Sequence, residues 1–186
     1  MKYEPLVEDS YYHIYNCGNN KENLFIDDDN YSYFLKLIKK HILNSCDILS
    51  YCLLKNHFHL LIKTKSNIES KVISQSFSNL FNAYSKAINK KYARSGSLFK
   101  DRFSRIKIDN EDYLKSLIIY VHTNPVHHNF TNNYKTYKYS SYKAFISDNP
   151  TLLLRDFVIN LFEDKENFRY AHNVKETNIL NEILLE

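Results

Sequence analysis

Apolar and polar positions alternate with a period that changes several times along the chain, and each change marks an element. Tyr11 to Asn16 (YYHIYN) is rich in aromatic and β-branched residues and predicts a strand. It is closed by the turn-forming run Cys17–Gly18–Asn19–Asn20. From Tyr31 to Leu43 the apolar residues Phe34, Leu35, Ile38 and Ile42 recur with a helical period. The preceding Asp27–Asp28–Asp29–Asn30 run supplies N-cap candidates and places negative charge where the helix dipole favours it. Asp47 to Leu54 and His57 to Lys63 read as two strands of a hairpin joined by Lys55–Asn56. Ile68 to Tyr92 carries a long helical pattern broken by Ser95–Gly96–Ser97, and Leu98 to Ile108 reads as a strand or an extended arm. Glu111 to Thr123 predicts a further helix, with Asp109 or Asn110 as cap and Pro125 as terminator.

The order β-α-β-β-α-β-α implies an α+β fold, a ferredoxin-like antiparallel sheet with helices packed on one face. Residues 1–146 carry this pattern, and 147–186 are expected to form a peripheral helical tail. A chain of 186 residues suits one domain with a tail, and two Gly and three Pro leave little room for flexible linkers. Cys17, Cys46 and Cys52 form no CxxC pair and read as reduced thiols. The polar stretch Met1 to Glu8 shows no signal-peptide pattern. No apolar run approaches the roughly 20 residues that span a bilayer. A soluble, cytoplasmic protein with no membrane partner is expected.

The net charge of +4 says little, but its distribution says more. Between Lys86 and Lys107 stand Lys86, Lys90, Lys91, Arg94, Lys100, Arg102, Arg105 and Lys107 against the single acid Asp101, a net of +7. Such a stretch suits a polyanion, and equally a solvated helix face. Tyr92, Phe99 and Phe103 are interleaved with these charges, placed either to stack on unpaired bases or to pack in the core. After Ser147 the chain leans acidic, with Asp148, Asp156, Glu163, Asp164, Glu166, Glu176, Glu182 and Glu186.

The segment Asn56–His57–Phe58–His59–Leu60–Leu61–Ile62 concentrates candidate chemistry. Strand alternation sends Phe58, Leu60 and Ile62 to the core and turns His57 and His59 together to the other face, where helices are not expected to cover them. Two imidazoles so placed can share a metal, although an HxH pair alone is also common on strand surfaces. In Tyr120–Val121–His122–Thr123–Asn124–Pro125–Val126, Tyr120 and Asn124 share a helix face at i and i+4. They continue the stripe of Tyr113 and Leu117, while Leu114, Ile118 and Val121 face the core and His122 points away. Asn124, just before a proline, is expected at the helix end. A tyrosine phenol can attack a phosphodiester whose phosphate is polarised by a metal, and an Asn oxygen can complete a two-His site with open positions.

At these residues the chain resembles the single-tyrosine transposases of the HUH endonuclease superfamily, especially the REP-associated relatives. Tyr12–His13–Ile14 with Gly18–Asn19–Asn20 is similar to the family's opening strand and turn, and Phe25 with Asp27–Asp28 to its F-x-D-D helix start. Tyr51–Cys52–Leu53–Leu54–Lys55–Asn56–His57–Phe58–His59–Leu60–Leu61 resembles its Y-C-L-M-P-N-H-x-H-L-L segment. Gly96 to Phe103 resembles G-x-L-F-Q-x-R-F, Tyr120 to Val126 resembles Y-I-H-x-N-P-V, and Tyr137 to Tyr142 resembles Y-x-W-S-S-Y. Lys55, Tyr139 and Cys17 stand where the family usually carries Pro, Trp and Arg.

The resemblance implies His57, His59 and Asn124 as metal ligands and Tyr120 as a nucleophile forming a 5′-phosphotyrosine. It implies Mg²⁺ or Mn²⁺ as the metal, although ligand type alone admits Zn²⁺. The substrate it implies is single-stranded or hairpin DNA, cleaved and rejoined by a monomer or a homodimer. A host-retained protein that processes hairpin DNA without mobilising itself would share this site. A nucleic-acid-binding module with incidental histidines would bind without cleavage or metal.

Overall fold

The computed structural model describes residues 4–184, with side chains to residue 174. Met1–Tyr3 of the polar N-terminus and the tail acids Glu176, Glu182 and Glu186 lie outside the described side chains. Four strands, β1 (Tyr11–Cys17), β2 (Cys46–Leu54), β3 (His57–Thr64) and β4 (Ser104–Ile108), form one sheet in the order β2-β3-β1-β4. Every neighbouring pair is antiparallel. The β2–β3 connection is the two-residue hairpin expected at Lys55–Asn56, with Leu54 opposite His57. Leu98 to Phe103 is an arm, tied to the sheet edge by an isolated bridge between Gly18 and Phe99, and strand pairing begins only at Ser104.

Helices α1 (Asp28–His41) and α2 (Ser70–Lys91) cover one face. Asp27 caps α1 by accepting from the Asn30 N–H, and the Asn30 side chain accepts the Asp27 N–H in return. Phe34, Leu37 and Ile38 of α1 and Phe77, Leu80 and Tyr84 of α2 close over Tyr12, Ile14, Phe58, Leu60 and Ile62 of the sheet. Phe99 and Phe103 are buried in this same cluster, so the core-packing reading holds for them. Tyr92 donates its hydroxyl hydrogen bond to Asp27 instead of presenting a free ring.

The other face is not bare. Helix α3 (Glu111–His127) lies across it, burying Leu114, Ile118 and Val121 against Leu49, Cys52, Leu54, Leu61 and Ile108. The expectation that helices occupy one face alone is corrected by these contacts. The reason is visible in β2 and β3, where Cys52, Leu54 and Leu61 make the second face apolar except at its histidine end. Pro125 does not stop α3, which runs on to His127. A proline this near the C-terminus removes a single helical hydrogen bond, and burial of Asn124, Pro125 and Val126 holds the last turn.

The C-terminal segments brace α3. Short helix α4 (Tyr142–Ile146) and helices α5 (Arg155–Leu161) and α6 (Lys165–Leu184) follow, and Val158, Phe162 and Phe168 are buried with the α3 core. The tail was expected at the periphery, whereas these residues lie inside. The outer edge of β2 is hydrogen-bonded to the same region: Leu53 N–H to Tyr139 O at 2.9 Å, Ser141 N–H to Tyr51 O at 3.0 Å and Leu154 N–H to Ile48 O at 3.0 Å. An edge covered in this way cannot pair with another strand.

Candidate active site

Residues paired across an antiparallel sheet share a face. Register therefore places Cys17 opposite His57, Tyr15 opposite His59 and His13 opposite Leu61, all on the α3 side. His57 and His59 thus turn together towards α3, as alternation requires. Tyr120 and Asn124 of α3 come down on them. The Tyr120 ring centroid is 5.6 Å from that of His59, edge to face, and His57 Nε2 lies 3.2 Å from Asn124 Oδ1. The four residues singled out by sequence, separated by more than sixty positions, converge at one end of the sheet.

Their protonation follows from the contacts. His57 Nδ1 is 2.8 Å from Asn56 Oδ1, an acceptor, so Nδ1 carries the hydrogen and Nε2 keeps a lone pair. That lone pair meets Asn124 Oδ1, acceptor against acceptor, while Asn124 Nδ2 is buried with no partner. His59 Nε2 is likewise buried without a partner, in a residue only 7% exposed. Unsatisfied buried groups of this kind call for an explanation. A cation among His57 Nε2, His59 Nε2 and Asn124 Oδ1 supplies one; a rotated Asn124 amide would relieve the His57 contact but not His59. Burial, then the His128 charge, pushes the His57 pKa down to about 4. Burial, then neighbouring histidines, holds His59 well below its ordinary value. Both rings are therefore neutral near pH 7, the form that binds metal.

Among the described residues, no three His, Cys, Asp or Glu side chains are grouped to hold a metal by themselves. The chemistry of the set fits a divalent ion only with the Asn124 amide oxygen included. Its two imidazoles and one neutral oxygen leave coordination positions open and carry no negative charge against a polyanion.

A cleft of about 510 Å³ opens beside this cluster, lined by His57, His59, Tyr120, His128, Lys100 and Arg102 among others. Of the eight basic residues in the Lys86–Lys107 stretch, only Lys100 and Arg102 reach it. Arg105 and Lys107 pair with Ile14 and Tyr12 and so point to the α1–α2 side of the sheet. Arg105 stacks over the Phe103 ring at 4.3 Å, and Lys107 pairs with Asp109 at 3.6 Å. Lys86, Lys90 and Lys91 are exposed along α2, with Lys91 held to Asp27 at 2.8 Å, and Arg94 is ion-paired to Glu22. The sheet divides the basic stretch instead of gathering it into one patch.

Three neighbours of the site went unassigned at the sequence level. Asn56 fixes the His57 ring, and His128 at the end of α3 lies 4.9 Å from it, ring centroid to ring centroid. His13 Nε2 is 2.9 Å from His59 Nδ1. The turn position of Asn56 was readable, but the contacts of His13 and His128 depend on strand register and on the continuation of α3 past Pro125. His122, set aside by its helix position, bonds to Ser141 and His172 away from the site. No helix among the described residues is long and apolar enough to cross a membrane.

Residues 6–124 match the protein family described as IS200-like transposases. No curated protein sequence matches the chain. Among solved structures, one of a REP-associated tyrosine transposase bound to a REP hairpin is similar over 81% of this chain and 88% of that one, with a TM-score of 0.66 and 15% identity. A candidate transposase from Deinococcus radiodurans R1 is similar over 63% of this chain and 92% of that one, with a TM-score of 0.43 and 11% identity.

Proposed function

This chain belongs to the IS200-like transposase family, and from that premise we propose that it cleaves and rejoins single-stranded DNA through Tyr120. The observation that carries the reading is the convergence of Tyr120 and Asn124 on His57 and His59, with the buried Nε2 of His59 left without a partner. His57, His59 and Asn124 would hold a divalent ion, Mg²⁺ or Mn²⁺. When bound there, such an ion polarises the scissile phosphate and neutralises charge that develops on its oxygens.

The protein's own groups do the rest. Tyr120 is half-buried at the cleft and held by α3 beside the His59 ring. Its Oη forms a bond to phosphorus while the P–O3′ bond breaks; the phenolic proton goes to solvent, and the departing 3′ oxygen takes one up. The product is a 5′-phosphotyrosine and a free 3′-OH. Attack by the 3′-OH of another strand reverses these bonds and releases Tyr120, so joining needs no external energy. Lys100 and Arg102 contact the phosphate backbone as it enters the cleft. Residues 1–146 carry the chemistry, and Phe168 and His172 of the following segment brace α3.

The test is incubation of the purified protein with labelled single-stranded and hairpin DNA and Mn²⁺, resolved on a denaturing protein gel. A hairpin is included because the structural relative carries one. The expected result is a covalent protein–DNA band that is absent with EDTA, with Tyr120→Phe and with His57→Ala. DNA binding with no covalent band in any lane would overturn the proposal.

A further inference from the structure

The contact between His13 and His59 joins two buried imidazoles, one inside the metal set and one outside it. His13 lies on β1, two residues from Tyr15, which faces His59 directly across the sheet. It reaches His59 along the diagonal, and its Nε2 lies 2.9 Å from His59 Nδ1. The two rings are tilted 31° with centroids 5.1 Å apart, and the Tyr120 ring stands edge-on to both. His13 is buried beside the Tyr15 ring.

At that separation one nitrogen must carry a hydrogen and the other a lone pair. If His13 Nε2 donates, His59 is protonated on Nε2. That places an N–H donor in a buried position with no acceptor and leaves His59 unable to ligate through Nε2. If His59 Nδ1 donates, its Nε2 lone pair faces the cluster formed by His57 and Asn124 and is available to a cation. Either tautomer leaves Nε2 buried and unpaired by the protein, and only the second lets a cation pair it beside the neighbouring ligands.

We propose that His13 is a positioning residue, which accepts the His59 Nδ1 hydrogen and so fixes His59 in the tautomer and orientation that bind a divalent cation through Nε2. The proposal rests on the reading of His57, His59 and Asn124 as the metal set. Outer hydrogen-bond partners of this kind typically change metal affinity by about 10–100-fold when removed.

The experiment titrates Mn²⁺ into the full chain, free of DNA, and reads bound metal by electron paramagnetic resonance. It compares wild type, His57→Ala, His13→Phe and His13→Gln, with ¹⁵N spectra of the imidazoles in the metal-free wild type. Phenylalanine keeps the ring volume without an acceptor, whereas glutamine offers an amide oxygen near the position of Nε2. Wild type should bind Mn²⁺ and His57→Ala should not. His13→Phe should bind about 10–100-fold more weakly, and His13→Gln should recover most of the loss. The ¹⁵N spectra should show His59 protonated on Nδ1. Wild-type affinity in His13→Phe, or equal loss in both His13 variants, would overturn the positioning role while leaving the metal set intact. A wild-type His59 protonated on Nε2 would overturn it without any variant. Wild type binding no better than His57→Ala would overturn the metal set itself.

Discussion

Acidifying the protein charges histidines that are buried neutral, and His172 gives that effect a magnitude. His172 Nδ1 donates to Phe168 O at 2.7 Å, so its Nε2 is an acceptor. It therefore takes the hydrogen of His122 Nδ1 at 2.9 Å, and His122 Nε2 takes that of Ser141 Oγ at 2.8 Å. One tautomer satisfies the whole chain of contacts, which ties α6 to α3 and to the segment covering β2. A proton on His172 Nε2 would set donor against donor. Burial pushes the His172 pKa down from 6.5 to about 4. Between those values the unfolded chain binds more protons than the folded one, so stability is present near pH 7 and lost as pH falls through 6.5 towards 4. At about 1.36 kcal/mol per unit, this residue alone costs about 2 kcal/mol between pH 7 and pH 5. Urea unfolding followed by far-ultraviolet circular dichroism at both pH values, for wild type and His172→Gln, measures it. The variant should be less stable at pH 7, and its loss on acidification should be smaller by about 2 kcal/mol. His13, His57 and His59 lie away from the substitution, titrate in both proteins and cancel in the difference, and His122, held down first by burial and only then by His172, stays buried in both. Equal losses in the two proteins would refute the reasoning.

Three further outcomes follow from the same structure. Phe58→Ala empties a fully buried position between Phe34 and Phe81 and should cost about 3–5 kcal/mol in urea unfolding. Gly18→Ala would place a methyl group 1.9 Å from the Glu22 carbonyl oxygen, so it should lower the melting temperature measured by calorimetry, although the Gly18 backbone angles themselves suit any residue. Replacing Lys100 and Arg102 together by alanine should weaken single-stranded DNA binding and reduce the slope of log affinity against log salt by about 1.4, two contacts at roughly 0.7 each; the pair Lys86→Ala and Lys90→Ala, away from the cleft, should leave that slope nearly unchanged.

The elements were legible because their signals are local. Alternation at Phe58, Leu60 and Ile62, the Asp27 cap and the Lys55–Asn56 turn each lie within a few residues, and each formed as read. The convergence of His57, His59, Tyr120 and Asn124 was also legible, the first pair from strand period and the second from helix spacing. What could not be read depends on long-range pairing. The burial of the histidine face under α3 follows from packing of Cys52, Leu54 and Leu61, whose periodicity is that of any buried strand. The division of the basic stretch follows from β4 register, which sends Arg105 and Lys107 to the far side of the sheet. Asn124 was expected at a helix end because Pro disfavours helix in the residue before it; burial of the last turn overrode that preference. The contact of His13 with His59 is set by the β1–β3 register alone.

The most direct test of the account is the identity of the residue that carries DNA. The covalent complex formed with Mn²⁺ would be digested with protease and nuclease, and the peptide bearing a nucleotide mapped by mass spectrometry. The account predicts a phosphodiester on Tyr120, in the peptide spanning Ser116 to His128, with the DNA attached through its 5′ phosphate. Attachment at Tyr113 or at any other of the sixteen tyrosines, or through a 3′ phosphate, would contradict it.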